Sequence, residues 1–189
     1  KWIHIKTTRN GASFSEYKKI IEQNEDYPRI NRIKYLAEQK IYLKNTSPTL
    51  IINWFEKNPP LGGLGKIKLA EAFLEQGKTS EVERLIKEGW TTAEIRKNDL
   101  TYYRGKFKKF LTYEDHLKRA DYLAWERKYW DLKRMLKYLP KDERALYNAR
   151  QILMSNSYGV DTAISKVPAH LKKDPGLEFD RLRWSTIRG

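Results

Sequence analysis

The chain has 189 residues, with 38 Lys and Arg against 24 Asp and Glu for a formal charge of +14, and it contains no cysteine. Disulfides, thiolate metal sites, zinc fingers and cysteine nucleophiles are thereby excluded, whereas the compartment stays open. Leu, Ile, Val and Phe number 44, which exceeds the roughly one-fifth floor of disordered chains, so a buried core is expected.

No apolar run approaches the ~18 residues that cross a membrane, and residues 1–12 contain neither a hydrophobic signal region nor a cleavage site. They read as an N-terminal tail, with Trp2 outside the folded region. Only three valines stand among many Leu, Lys, Glu and Ala, and apolar periods near 3.6 recur, which predicts an all-α chain. The first helix opens at Ser13 with Glu16 in capping-box spacing and sets Phe14, Tyr17, Ile20 and Ile21 on one face. Pro28 suits the first turn of a second helix bearing Ile30, Ile33, Leu36, Ala37 and Ile41. Ser47-Pro48 starts a third, which carries Leu50, Ile51, Trp54 and Phe55 and stops at Pro59-Pro60. A loop at Leu61-Gly62-Gly63 leads to a fourth, closed by Gly77.

The fifth helix is expected from Ser80, with Glu83 three residues on, to Gly89, and Thr91 with Glu94 repeats the capping spacing for a sixth. Thr112 caps a seventh, Trp130 to Leu139 forms an eighth ended by Pro140, and Ala145 to Leu153 marks a ninth. Weaker helices follow at 161–173 and 176–187. Short helices joined by short turns cannot bury their apolar faces singly, and they predict a superhelical α-solenoid of stacked, tetratricopeptide-like hairpins over residues 13–189. A weak repeat agrees: Leu36-Ala37-Glu38, Leu69-Ala70-Glu71, the stretch around Asp121, Ala149-Arg150-Gln151 and Leu182-Arg183 recur at irregular intervals. An irregular helical bundle is the alternative.

Catalytic constellations are sparse. His4, His116 and His170 lie far apart without metal-ligand spacing, so neither a metal nor a cofactor is expected. Gly62-Gly63-Leu64-Gly65-Lys66 lacks the first glycine and the Ser or Thr of a phosphate loop and reads as a turn. Glu114-Asp115-His116 places two acids in the first turn of a helix, where capping and the helix dipole account for them better than acid-base catalysis. Trp54, Trp90, Trp125, Trp130 and Trp184 read as core residues more than as sugar-stacking platforms.

The charge is uneven. Residues 63–100 balance at seven of each sign, whereas residues 102–145 hold 13 basic against 7 acidic side chains. Within that segment Tyr102, Tyr103, Arg104, Lys106, Lys108 and Lys109 interleave rings and cations. That composition suits RNA, an acidic glycan polymer or an anionic surface, or simply a solvated face.

Several stretches in order resemble a known family. Pro28 opening a helix toward Arg32 and Leu36-Ala37-Glu38, then Trp54-Phe55 and Asn58-Pro59-Pro60, are similar to the superhelical N-terminal region of soluble lytic murein transglycosylases of Gram-negative bacteria. Leu111-Thr112-Tyr113-Glu114-Asp115-His116, Asp121-Tyr122-Leu123-Ala124-Trp125, Val167-Pro168-Ala169, Asp174-Pro175-Gly176-Leu177 and Arg181 to Trp184 continue the likeness over roughly residues 13–189. The resemblance implies a periplasmic enzyme that cleaves peptidoglycan strands with formation of a 1,6-anhydro end. In that family the acid lies in a separate lysozyme-like domain, within a Glu-Ser motif followed by Gly-Leu-Met-Gln. Neither motif occurs here, so no catalytic residue carries over. The expectation is a non-catalytic platform that meets peptidoglycan through or with a catalytic domain. A stand-alone helical-repeat protein binding RNA or an acidic protein is the alternative.

Overall fold

A computed structural model of the chain describes residues 11–155 and 158–188. Among them it is all-α, with eleven helices and no strand. The expectations for Trp2 and His4 lie outside the described residues. The chain divides into two compact units, residues 1–95 and 96–189.

The first unit holds α1 (Phe14–Glu22), α2 (Ile30–Glu38), α3 (Pro48–Lys57), α4 (Gly63–Glu75) and α5 (Val82–Thr92). Local chemistry starts α1 as the sequence predicts: Ser13 Oγ accepts from the Glu16 N–H, and the Glu16 carboxylate accepts from the Ser13 N–H at 2.8 Å. Ser47 likewise caps α3, with Pro48 in its first turn, where no intrahelical N–H is needed. Phe14, Tyr17, Ile21, Ile33, Leu36 and Ile41 are buried around Trp54, whose ring meets Phe14 edge-on at 5.4 Å. Each such side chain contributes about 1.5–3 kcal/mol by leaving water.

The α4–α5 pairing is set by glycine. A Cβ at Gly63 would stand 2.7 Å from the Gly89 carbonyl oxygen, and one at Gly89 would stand 2.6 Å from the Gly63 carbonyl oxygen. Gly89 therefore does not stop α5. It lies inside the helix because the neighbouring backbone comes too close for any side chain, and Trp90 beside it is fully buried. Nor does Ser80 cap α5, which begins at Val82 after a turn closed by the Val82 N–H on the Thr79 carbonyl. Thr91 bonds back to the Lys87 carbonyl within α5 instead of starting a new helix. Gly77 does close α4, in the left-handed region at φ +70°, with the Lys78 N–H reaching the Phe73 carbonyl.

Glu38 ends α2 and is only 2 % exposed. Its carboxylate accepts from the Leu61 N–H at 2.5 Å and the Gly62 N–H at 3.1 Å, fixing the entry to α4. Burial outweighs these two hydrogen bonds and pushes its pKa up to about 7.

The second unit holds α6 (Lys97–Lys106), α7 (Tyr113–Trp125), α8 (Tyr129–Met135) with a 3₁₀ turn at Leu136–Tyr138, α9 (Lys141–Leu153), α10 (Val160–Ser165) and α11 (Pro175–Arg188). Thr112 caps α7 in a capping box completed by Asp115. The single helix expected at 161–173 is instead α10 followed by a 3₁₀ turn at Ala169–Leu171, because Pro168 between them has no N–H to continue the ladder. Arg150 of α9 is fully buried. Its Nε donates to Asp180 Oδ2 and its Nη1 to Asp121 Oδ1, both at 2.8 Å, joining α7, α9 and α11. Burial alone would lower its pKa, but the bonds to the two carboxylates prevail and raise it, so Arg150 stays cationic. Gly176 leaves the space that the guanidinium occupies.

The tryptophans divide. Trp54 and Trp90 are core, whereas Trp125 is 48 % and Trp130 64 % exposed. These two lie at the end of α7 and the start of α8, where their rings lean on Phe179 and Tyr129 at 5.4 and 5.0 Å rather than entering the core.

Candidate polyanion-binding surface

Helix α6 sorts the basic and aromatic residues singled out in the sequence. Leu100, Tyr103 and the following Phe107 are buried, a spacing of three and four that defines the inward face. Tyr103 is thus a core residue, 2 % exposed, its ring stacked on Phe107 at 6.4 Å. Tyr102 and Lys106 pair one turn apart, the ammonium donating to the Tyr102 hydroxyl at 3.1 Å and lying 5.4 Å from its ring centroid. Lys97, Thr101, Arg104 and Lys108 follow a different helical row. Lys108 and Lys109, just past the helix, are both exposed, and of the two only Lys108 lines a cleft.

The Arg104 row meets residues that the sequence reading did not select. The Arg104 guanidinium lies 4.3 Å from the Tyr138 ring centroid, and the Lys137 ammonium lies 4.9 Å from the same ring. Beside this pair opens a cleft of about 450 Å³ lined by Lys97, Asn98, Thr101, Lys133, Arg134 and Lys137, together with Leu100 and Tyr138. A smaller cleft of about 270 Å³ is lined by Arg104, Lys108, Leu111, Thr112, Tyr113 and His116. No carboxylate lines either cleft. Arg134 is paired with Asp131 at 2.5 Å, but no carboxylate among the described residues pairs with Lys97, Arg104, Lys108, Lys133 or Lys137.

His116 is 5 % exposed, with its ring 6.0 Å from Tyr138. Burial, then the charge of Arg104, holds its pKa down to about 4 against the opposing pull of Asp115, so it is neutral at pH 7. Arg119, buried one turn further along α7, is lowered by burial to about 10 and remains cationic. The local field is therefore positive, with Arg104 and Lys137 brought together on the Tyr138 ring.

The other candidates are structural. Asp115 is committed to the cap of α7, accepting from the Thr112 N–H at 2.8 Å and the Thr112 hydroxyl at 2.9 Å. The glycines from Gly62 to Gly65 begin α4 and give room to Glu38. His170 is exposed, 3.8 Å from Asp142. Among the described residues no three His, Asp or Glu side chains cluster as a metal would require. Among the described residues no helix is long and apolar enough to cross a membrane.

The contribution of Lys133 and Lys137 had one local signal, a four-residue spacing that puts two lysines on one helical row. Their approach to Arg104 had none. The chain matches no protein-family model, no curated protein and no solved structure.

Proposed function

We propose that this chain is a non-catalytic helical platform that binds an extended polyanion through its second unit, and that the polyanion is peptidoglycan. The observation that carries this reading is the Arg104–Tyr138 stack, flanked by two clefts whose charged lining residues are basic. Fixed cations beside accessible rings suit a polymer that offers negative groups at intervals with apolar or sugar faces between them. The stem-peptide carboxylates of peptidoglycan provide that pattern.

The resemblance of residues 13–189 to the superhelical region of soluble lytic murein transglycosylases supports the same reading. It makes the chain a periplasmic platform whose helical hairpins stack as a solenoid, with glycosidic cleavage left to a catalytic domain bearing the acid. The glycine-mediated approach of α4 to α5 and the recurrence of a buried Ala-Glu pair at Ala37-Glu38 and Ala70-Glu71 support the stacking of related hairpins.

The test is retention on purified sacculi at low and moderate salt, comparing the chain with the variant Lys97→Gln/Lys133→Gln/Lys137→Gln. Strong retention that falls with salt and drops in the variant is expected. Equal retention of both proteins refutes the surface. Preference for single-stranded RNA over sacculi would instead assign the same clefts to a nucleic acid.

A further inference from the structure

The smaller cleft differs from a general basic surface in its construction. Its volume, about 270 Å³, is enough to seat one charged group with a few attached carbons. Arg104 is held in place against the Tyr138 ring, and its Nε is withdrawn from solvent without a hydrogen-bond acceptor. A guanidinium carries a planar fork of N–H groups that suits an oxyanion, and Arg104 lines the cleft. Lys108 adds a second positive charge from the turn after α6.

The remaining lining groups leave the cleft positive. Thr112 and Asp115 are occupied with each other in the cap of α7, so the Asp115 carboxylate, 5 % exposed, is satisfied where it stands. Tyr113, 69 % exposed, presents its side chain at the mouth, and Leu111 supplies an apolar wall. His116, neutral at pH 7, closes the inner side.

We propose that this cleft is a pocket for a single oxyanion, either a peptide-terminal carboxylate or a phosphate monoester, with the Arg104 guanidinium as its principal ligand and Lys108 as the second cation. The pocket deepens the polyanion reading, because one oxyanion seated here would give an otherwise sliding polymer a fixed register. It is separable from that reading, since the triple lysine variant alters only the larger cleft.

The experiment is an NMR titration of the whole chain, following the His116 imidazole and the Arg104 Nε–H, with inorganic phosphate and N-acetylalanine as probes against chloride at equal ionic strength. The His116 resonances are assigned by their loss in His116→Asn. The groups that face His116 are Arg104 from α6, Tyr138 from the 3₁₀ turn, and Asp115 and Arg119 from α7 itself. An oxyanion bound between His116 and Arg104 offsets the cationic charge and moves the histidine titration upward.

Saturable shifts with at least one probe are expected, with binding weakened about tenfold in Arg104→Gln and in Lys108→Gln but unchanged in Lys97→Gln/Lys133→Gln/Lys137→Gln. Saturation by phosphate alone identifies a phosphate monoester, saturation by N-acetylalanine alone identifies a carboxylate end, and both together identify a pocket that accepts either. Shifts that match chloride, or undiminished binding in the exposed-site variant Lys108→Gln together with Arg104→Gln, overturn the proposal. Loss of sacculus binding in the triple variant with the oxyanion shifts intact would leave both conclusions standing on separate residues.

Discussion

Acidification from pH 7 to pH 5 should act oppositely on the two units, through one buried group in each. In the first unit the Glu38 pKa is pushed up from 4.5 to about 7 by burial, so the folded chain binds a proton there that the unfolded chain does not. Stability from this group is present below pH 4.5 and is lost as pH rises through 7. In the second unit His116 is held down from 6.5 to about 4, so the unfolded chain binds the extra proton. Stability from this group is present above pH 6.5 and is lost as pH falls through 4. Integrating proton linkage over these values, Glu38 gains about 2 kcal/mol between pH 7 and pH 5, while His116 forfeits about 2 kcal/mol over the same interval. The two terms nearly cancel in the intact chain, and single variants uncover them. Glu38→Gln removes the gain, so its stability relative to the unaltered chain should fall on acidification. His116→Asn removes the loss, so its relative stability should rise. Urea denaturation of the three proteins at pH 5 and pH 7 reads these differences, and other titrating groups drop out because they are common to all three. Parallel pH dependences in all three proteins would refute the burial argument for both residues.

Two further predictions concern packing. Gly63→Ala and Gly89→Ala each thrust a Cβ onto the opposing backbone, which cannot swing aside as a side chain can, so each should cost about 1–3 kcal/mol by chemical denaturation, with loss of α4–α5 hydrogen-exchange protection. Arg150→Met should cost about 3–5 kcal/mol because it leaves the buried Asp180 carboxylate with only the 3.9 Å contact to Arg127, and the double variant Arg150→Met/Asp180→Leu should recover most of that loss. A double variant no more stable than the single one would show that the guanidinium acts through packing on Trp125 and Tyr147 rather than through its charge.

What the sequence disclosed about this fold depended on how local each signal was. The caps at Ser13, Ser47 and Thr112 could be read because the donor and acceptor sit three residues apart, and the structure forms all three. Gly89 misled because its reason is the approach of Gly63 from another helix, which no window around Gly89 contains. Thr91 misled because a hydroxyl can cap the next helix or bond back to its own, and here it bonds to Lys87. The candidate surface shows the same division. Basic and aromatic residues near α6 were visible as a run, but a run is contiguous in sequence while a helix face is not. Winding the run buries Tyr103, pairs Tyr102 with Lys106 and leaves Arg104 and Lys108 on the row that lines the smaller cleft. Lys133, Lys137 and Tyr138 belong to the surface only through tertiary contact with that row.

The proposed binding surface is distinguished by cations that no carboxylate among the described residues pairs with. In the first unit four cations of α1, α4 and α5 meet acids: Lys18 with Glu22, Lys66 with Glu88, Lys87 with Glu83, and Arg84 with both Glu81 and Glu88. Such pairs contribute little individually, but they show that nearby carboxylates are available where the chain needs only a solvated helix face. Around Arg104 the acids are withheld: Asp115 is turned into a cap, Asp131 is taken by Arg134, and Asp121 by Arg150. A pair of such cations one Debye length apart repels by about 0.2 kcal/mol after screening, a small standing cost that folding alone gives no reason to keep. A bound polyanion reverses the sign of that term, so phosphate at fixed ionic strength should stabilise the second unit against urea more than chloride does. Arg104→Gln should abolish the difference, and its persistence in that variant would place the bound anion elsewhere.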